Sequence, residues 1–254
     1  EEMRSIGIAA GNIDYLILNH MEPDHTSWLP VFHARNPNMK IFLTGKAKGL
    51  LKSFCGIEEN VHVIKDGDTL DLGRGKVLTF FETPNIHWPE TMMTYEQSSG
   101  ILFSCDAFGS YGTLNNVYFD DQLSTVQHDF FINEALRYYA NIVSSFSTFV
   151  KKGIERLGVL DIKVIAPSHG IIWRENPQAI IDSYSRFAGY MQGPAEAEVT
   201  LIWSSMYGNT EKLVNNMVQG VRSAGLPVHV HRVPDDHVGI VLASAWRSAG
   251  IILG

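Results

Sequence analysis

Apolar, strand-like runs that are followed by metal-ligand side chains occur four times along this chain. Each run is short and rich in β-branched or aromatic residues, which is typical of a buried strand. Because strand ends in α/β proteins converge on one rim of the fold, we expect the side chains that follow these runs to meet in space. They are His20, Glu22, Asp24 and His25 after "DYLIL", His87 after "VLTFFETPNI", Asp106 after "ILFSC" and His169 after "VIAPS".

Seven nitrogen and oxygen ligands are too many for one metal ion with tetrahedral coordination. They suit a pair of metal ions that share one bridging carboxylate. Imidazole binds borderline metals well, and carboxylates shift the preference towards harder ions such as iron or manganese. The sequence therefore predicts a two-metal site.

Each of these residues also has an ordinary structural explanation. Asp24 and His25 could cap a helix that begins near Thr26. Asp106 could form an Asx turn, and the two later histidines could be turn residues. The coincidence of all of them at four strand ends favours the metal site. The other histidines are expected on the surface or hydrogen-bonded in the core: His33, His62, His128, His229, His231 and His237.

The pattern predicts an α/β fold in two parts. Strands and helices alternate up to a helix predicted over 176–191, and the composition changes at Gly193-Pro194, where "AEAE" is predicted to be a linker. Beyond it come a strand over 199–205, a helix over 210–224, a strand, a short helix and the strand "GIILG". This order is the opening half of a doubly wound parallel sheet.

A second motif, "LIWSSMYGNTEKLV", reads as a buried strand, a tight turn and a helix. Backbone N–H groups at the helix start, together with serine and threonine hydroxyls, can hold a phosphate group. The turn lacks both the Gly-Lys-Ser/Thr and the GxGxxG patterns, and an ordinary capped helix is the alternative. The candidate phosphate-binding residues are Ser205, Met206, Tyr207, Gly208, Asn209 and Thr210.

The motifs "HMEPDH", "HWPETM", "CDAFG" and "PSHG", in this order and spacing, resemble the metallo-β-lactamase-like domain of flavodiiron proteins, and "SMYGNT" resembles the FMN-phosphate loop of flavodoxins. The resemblance implies a metallo-β-lactamase-like αββα sandwich over 1–194, followed by a partial flavodoxin-like doubly wound sheet over 198–254. The start at Glu1 and the end at Gly254 lead us to expect a fragment that lacks the first strands of one domain and the second half of the other.

The resemblance also assigns the ligands. One iron would be held by His20, Glu22 and His87, the other by Asp24, His25 and His169, with Asp106 as the bridge. Zinc hydrolases of the same superfold usually carry a histidine where this chain has Glu22, so this carboxylate favours a redox iron centre. A dizinc hydrolase is the alternative.

The activity implied by the resemblance is reduction of dioxygen to water, of nitric oxide to nitrous oxide, or of both. Electrons would pass through FMN from rubredoxin or another small redox protein, or from a reduced deazaflavin. The family also implies a head-to-tail homodimer. The choice between the two gases stays open.

Composition and charge limit the expected binding partners and the expected cellular compartment. The net charge of −7 and the absence of a basic run argue against a nucleic-acid-binding role. No apolar run approaches the roughly 20 residues that span a bilayer. The two cysteines, Cys55 and Cys105, have no paired spacing, which fits a reducing cytoplasm.

Overall fold

The computed structural model describes residues 5–254, which belong to two compact units. The first runs to Ala107 and includes Leu160–Ser168; the second comprises Phe108–Val159 and His169–Gly254. The domain boundary predicted between residues 194 and 198 falls inside the second unit and stays a prediction. Residues 1–4 of the predicted first domain lie outside the described residues.

Two sheets form the frame of the first unit. The smaller sheet is parallel, in the order β1-β2-β3. The larger has the order β4-β5-β6-β7-β8 and is antiparallel except between β7 and β8. The strands are β1 (Tyr15–Ile17), β2 (Lys40–Thr44), β3 (Val61–Ile64), β4 (Thr69–Gly73), β5 (Lys76–Glu82), β6 (Met92–Glu96), β7 (Ile101–Cys105) and β8 (Val164–Pro167).

The two sheets pack against each other through apolar side chains. Phe42 of β2 stacks on Phe80 of β5 with ring centroids 6.3 Å apart, and Ile17 packs in the same cluster. A second cluster contains Leu43 of the smaller sheet and Leu51 of helix α3. Burial of these side chains is the main term that holds the sheets in place. The helices of this unit are α1 (Pro23–Thr26), α2 (Leu29–Arg35) and α3 (Gly45–Cys55).

The second unit contains a parallel sheet in the order β10-β9-β11. Its first strand in sequence is central, as in the 2-1-3 opening of a flavodoxin-like sheet. The strands are β9 (Glu196–Trp203), β10 (Val228–Arg232) and β11 (Ser248–Leu253). The helices are α4 (Thr125–Tyr138), α5 (Ser147–Leu157), α6 (Pro177–Gly189), α7 (Asn209–Ser223) and α8 (Val238–Arg247), with a π-helical turn (Tyr139–Val143) and a 3₁₀ turn (Ser144–Phe146) between α4 and α5. Within the described residues, no helix has the length and apolar content needed to cross a membrane.

The strands and longer helices predicted from the sequence are confirmed, with two corrections. The helix expected from Thr26 begins earlier, at Pro23, and is divided into α1 and α2. Pro30 lies at the start of α2 and lacks the N–H that would continue a helix, so the division occurs there. Asp24 and His25 therefore lie inside α1 instead of capping a helix.

The second correction concerns "AEAE", which was expected to be a linker and lies in β9 from Glu196 onward. Glu196 pairs with Ser248 of β11. Glu198 is buried and accepts hydrogen bonds from the Arg247 guanidinium at 2.5 and 3.0 Å. These contacts come from β11 and the end of α8, which no local pattern around "AEAE" indicates.

A buried carboxylate, Asp120, organises the loop before α6. It accepts backbone N–H hydrogen bonds from Arg174 at 2.8 Å, Glu175 at 3.0 Å and Asn176 at 2.8 Å. Burial alone would raise the pKa of Asp120, but these N–H donors outweigh it and the pKa is lowered. The carboxylate is therefore ionised at neutral pH.

We predict that Asp120→Asn lowers the free energy of unfolding by about 1–3 kcal/mol, because a neutral amide accepts these hydrogen bonds less strongly. Chemical denaturation measures the change. Asp121→Asn is the matched control: Asp121 forms a partly exposed salt bridge with Arg174 at 2.8 Å, for which a loss below about 1 kcal/mol is expected. Equal losses for the two variants would contradict the prediction.

Candidate metal centre

The loops that follow β1, β5 and β7 carry four of the seven predicted ligands, and α1, which directly follows the first of these loops, carries Asp24 and His25. Asp106 comes directly after Cys105, the last residue of β7, whose φ of 56° is left-handed. The pairing of β7 with β8 also shifts in register between Phe103 and Cys105. Such an irregularity at a strand end re-aims the next side chain. Here it precedes Asp106, which is 1% exposed.

The two carboxylate oxygens of Asp106 face different imidazoles. Oδ2 lies 3.0 Å from Nε2 of His87 and 3.5 Å from Nε2 of His20. Oδ1 lies 3.1 Å from Nε2 of His25. This is the arrangement of a carboxylate that can bridge two ions.

The carboxylates of Glu22 and Asp24 lie beside the same imidazoles. Oε2 of Glu22 lies 3.2 Å from Nε2 of both His20 and His87. Ligand atoms of these three residues and of Asp106 all lie within 4.8 Å of one another. Oδ1 of Asp24 lies 3.5 Å from Nε2 of His25. The structure therefore brings the six predicted ligands of the first unit together.

The seventh predicted ligand, His169, belongs to the second unit. It directly follows Ser168, whose N–H donates to the carbonyl of Cys105 at 2.8 Å. The carbonyl of His169 accepts from the N–H of Ser110 at 3.3 Å, and a Cβ on the neighbouring Gly170 would collide with the Ser110 hydroxyl. These contacts define the backbone of His169, and its role as a ligand stays a prediction.

Negative charge concentrates at the cluster and acts on its imidazoles. Burial would lower the pKa of His25, but its hydrogen bond to Asp106 and the nearby carboxylates outweigh burial and raise the pKa. Burial would also lower the pKa of His87, but its contacts with Asp106 and Glu22 outweigh burial and raise the pKa. The site thus attracts positive charge, which a proton or a metal ion can supply.

One contact of this cluster was not predicted from the sequence. Glu90 is buried, and its Oε1 lies 2.7 Å from Nδ1 of His20 and accepts from the N–H of Met21 at 3.2 Å. Glu90 stands in the quoted motif "HWPETM", three residues after His87. No local spacing relates it to His20, so only the tertiary structure reveals this pair.

The donor set fits a pair of hard or borderline metal ions. With Nδ1 of His20 directed to Glu90, its Nε2 faces Glu22 and Asp106, as expected for a metal-ligating histidine. Imidazole nitrogens and carboxylate oxygens in similar numbers are the ligands that iron and manganese accept. The residues therefore fit the predicted diiron centre.

The predicted phosphate loop lies between β9 and α7. The N–H of Gly208 donates to Oγ of Ser205 at 2.9 Å, and Gly208 has a left-handed φ of 79°. Asn209 and Thr210, which an ordinary capped helix would use as caps, are the first residues of α7 itself. In the part of the chain that the structure describes, no side chain caps α7. Phosphate binding by its first-turn N–H groups stays a prediction.

The fold and this cluster define a candidate metal-binding protein of the metallo-β-lactamase-like α/β class. Residues 1–170 match the family described as ODP family beta lactamase. The chain therefore belongs to the ODP beta-lactamase family.

Curated relatives and solved structures are similar to nearly the whole chain. An anaerobic nitric oxide reductase flavorubredoxin from Aeromonas hydrophila is 38% identical over 255 residues, which cover 97% of this chain and 50% of the relative. A mutant flavo di-iron protein from Thermotoga maritima is 30% identical with a TM-score of 0.90, over 100% of this chain and 63% of that one. The rubredoxin oxygen:oxidoreductase of Desulfovibrio gigas is 28% identical with a TM-score of 0.91, over 99% and 62%. The chain spans about half the length of the curated relatives it matches.

Metal binding at this centre must displace protons from His25 and His87. Because both pKa values lie above the ordinary value of about 6.5, proton competition persists near neutral pH and grows as the pH falls. We predict that the affinity for Fe²⁺ or Co²⁺ falls as the pH is lowered from about 8 to 6, and that the fall approaches about tenfold per pH unit for each imidazole once the pH lies below its pKa. Chelator competition at several pH values measures it, and an affinity that stays constant over this interval would contradict the prediction.

Proposed function

We propose that this chain forms the diiron part, and the beginning of the flavin part, of an oxidoreductase that reduces dioxygen to water, nitric oxide to nitrous oxide, or both. The observation that carries the proposal is the buried carboxylate of Asp106, whose oxygens face the imidazoles of His87 and His25 separately at 3.0 and 3.1 Å. Relatives named nitric oxide reductase flavorubredoxin and rubredoxin oxygen:oxidoreductase support the same chemistry.

In this proposal seven residues bind iron, and Asp106 bridges the two ions. One iron is held by His20, Glu22 and His87; the other is held by Asp24, His25 and His169. The loop Ser205–Thr210 holds the FMN phosphate, with the first N–H groups of α7 as donors, while the N–H of Gly208 donates to Oγ of Ser205 and shapes the turn.

Iron held by these residues would supply the redox chemistry, and FMN would supply the electrons. The protein holds their ligands in place and limits the access of water. His20 and Asp106 are buried, whereas the side chains of Glu22 and Asp24 are 33% and 49% exposed. The cluster is thus closed on the side of the buried pair and open beside the two exposed carboxylates, where a small gas molecule and water can enter.

The carboxylates also distinguish this proposal from a dizinc hydrolase. Glu22 lies 3.2 Å from both His20 and His87, in the place of a neutral ligand. An anionic ligand stabilises the more oxidised state of a metal ion, which is useful to a redox centre and of no use to zinc.

The remaining proposals concern partners and location. The electron donor is rubredoxin, another small redox protein or a reduced deazaflavin, and the donor reduces FMN. Two chains pair head to tail, so that the flavin of one serves the irons of the other. The protein works in the cytoplasm.

Asp106→Asn tests the bridge. The neutral amide cannot serve both ions as an anionic ligand, so we expect fewer than two irons per chain and a fall in gas reduction on the order of 100-fold or more. Iron content is measured after anaerobic loading with iron and zinc both supplied, and dioxygen and nitric oxide consumption with gas electrodes, in the full-length protein. Asp161→Asn, at a side chain that is 85% exposed, is the control. Two retained irons and full activity in the Asp106 variant would refute the proposal.

Gly208→Val tests the flavin loop. A β-branched residue is strained at a φ of 79°, so the N–H groups that face the phosphate are displaced. We expect FMN to bind at least about tenfold more weakly, as measured by flavin fluorescence on the full-length protein. Gly220→Ala lies within α7 in open space and should leave FMN binding unchanged. Equal FMN affinity in the Gly208 variant and the wild type would exclude this loop as the phosphate site.

A further inference from the structure

The contact between Glu90 and His20 has features of a functional interaction. The Glu90 carboxylate joins two neighbouring groups, since Oε1 lies 2.7 Å from Nδ1 of His20 and accepts from the N–H of Met21 at 3.2 Å. The indole of Trp88 meets the His20 ring edge-on, with centroids 5.0 Å apart. Together these contacts determine both the position and the rotation of the His20 ring.

Glu90 is itself held by its surroundings. The Thr44 hydroxyl, at the end of β2, donates to the carbonyl of Glu90 at 2.9 Å. The Thr91 hydroxyl donates to the carbonyls of Thr83, at 2.5 Å, and Trp88, at 3.0 Å. The segment that carries Glu90 is therefore tied to the smaller sheet and to the loop after β5, which holds the backbone from which its carboxylate extends.

The cost of burying Glu90 indicates that it is not there for stability. Among the described residues, its second oxygen, Oε2, is buried and has no hydrogen-bond partner. A buried carboxylate oxygen without a donor costs free energy. Residues that break a stability rule in this way are expected at functional sites.

We propose that Glu90 is a positioning residue for the metal centre: it keeps the proton of His20 on Nδ1, so that Nε2 is presented to the ion beside Glu22 and Asp106. This inference rests on the proposed function. A carboxylate in this position raises the basicity of the ligating imidazole and fixes its orientation.

Two variants separate position from charge. Glu90→Gln keeps an oxygen that can accept from His20 and Met21 but removes the negative charge. Glu90→Ala removes the contact altogether. Glu96→Gln is the matched control, since Glu96 is also a buried acid, bound to Ser98 and Ser99, at the far end of β6. It lies four residues beyond Met92, or about 13 Å along the strand.

The measurements are the Co²⁺ affinity by chelator competition and the thermal unfolding of the metal-free protein. We expect Glu90→Ala to bind one of the two ions about 10–100-fold more weakly, and Glu90→Gln to lie between it and the wild type. The metal-free Glu90→Gln variant should be as stable as the metal-free wild type, or more stable. The control should bind Co²⁺ like the wild type and lose stability.

Three outcomes would overturn the inference. The first is wild-type affinity for both ions in Glu90→Ala. The second is a loss of affinity in the Glu90 variants that is matched by an equal loss of metal-free stability, since that is the signature of a purely structural role. The third is a wild-type chain that binds fewer than two ions, and this result alone would also remove the proposed function.

Discussion

The centre of this molecule is organised around one buried carboxylate, that of Asp106. A carboxylate that is 1% exposed must be compensated by positive charge or by hydrogen-bond donors. The chain compensates it with the imidazoles of His20 and His87, from the loops after β1 and β5, and with that of His25 from α1. The left-handed backbone of Cys105 precedes it at the end of β7. The two packed sheets keep these loops close enough for the contacts to form.

Charge then determines what such a cluster can do. Glu22 places a second carboxylate beside the imidazoles of His20 and His87. Burial would lower the pKa of His87, but its contacts with Asp106 and Glu22 outweigh burial and raise the pKa. A site with this excess of negative charge holds protons until metal ions replace them. Glu90 adds one more anion behind His20. The same carboxylates that make the site costly without metal ions favour the binding of cations.

Much of the fold and of the site could be predicted because both follow local rules. Alternate side chains of β5, Leu78 and Phe80, are buried, and the predicted ligands follow β1, β5, β7 and β8 in the sequence. The contact of Glu90 with His20 could not be predicted, since the two are separated by seventy positions and meet only in the tertiary structure. The strand that replaces the expected linker at Glu196 was missed for the same reason, because β11 lies far along the chain.

The most direct test of the account is a crystal structure of the iron-loaded protein, with the ions located by anomalous scattering at the iron edge. We expect two iron peaks about 3.5–4 Å apart, with one oxygen of Asp106 towards each. A single peak, or peaks away from Asp106, would contradict it.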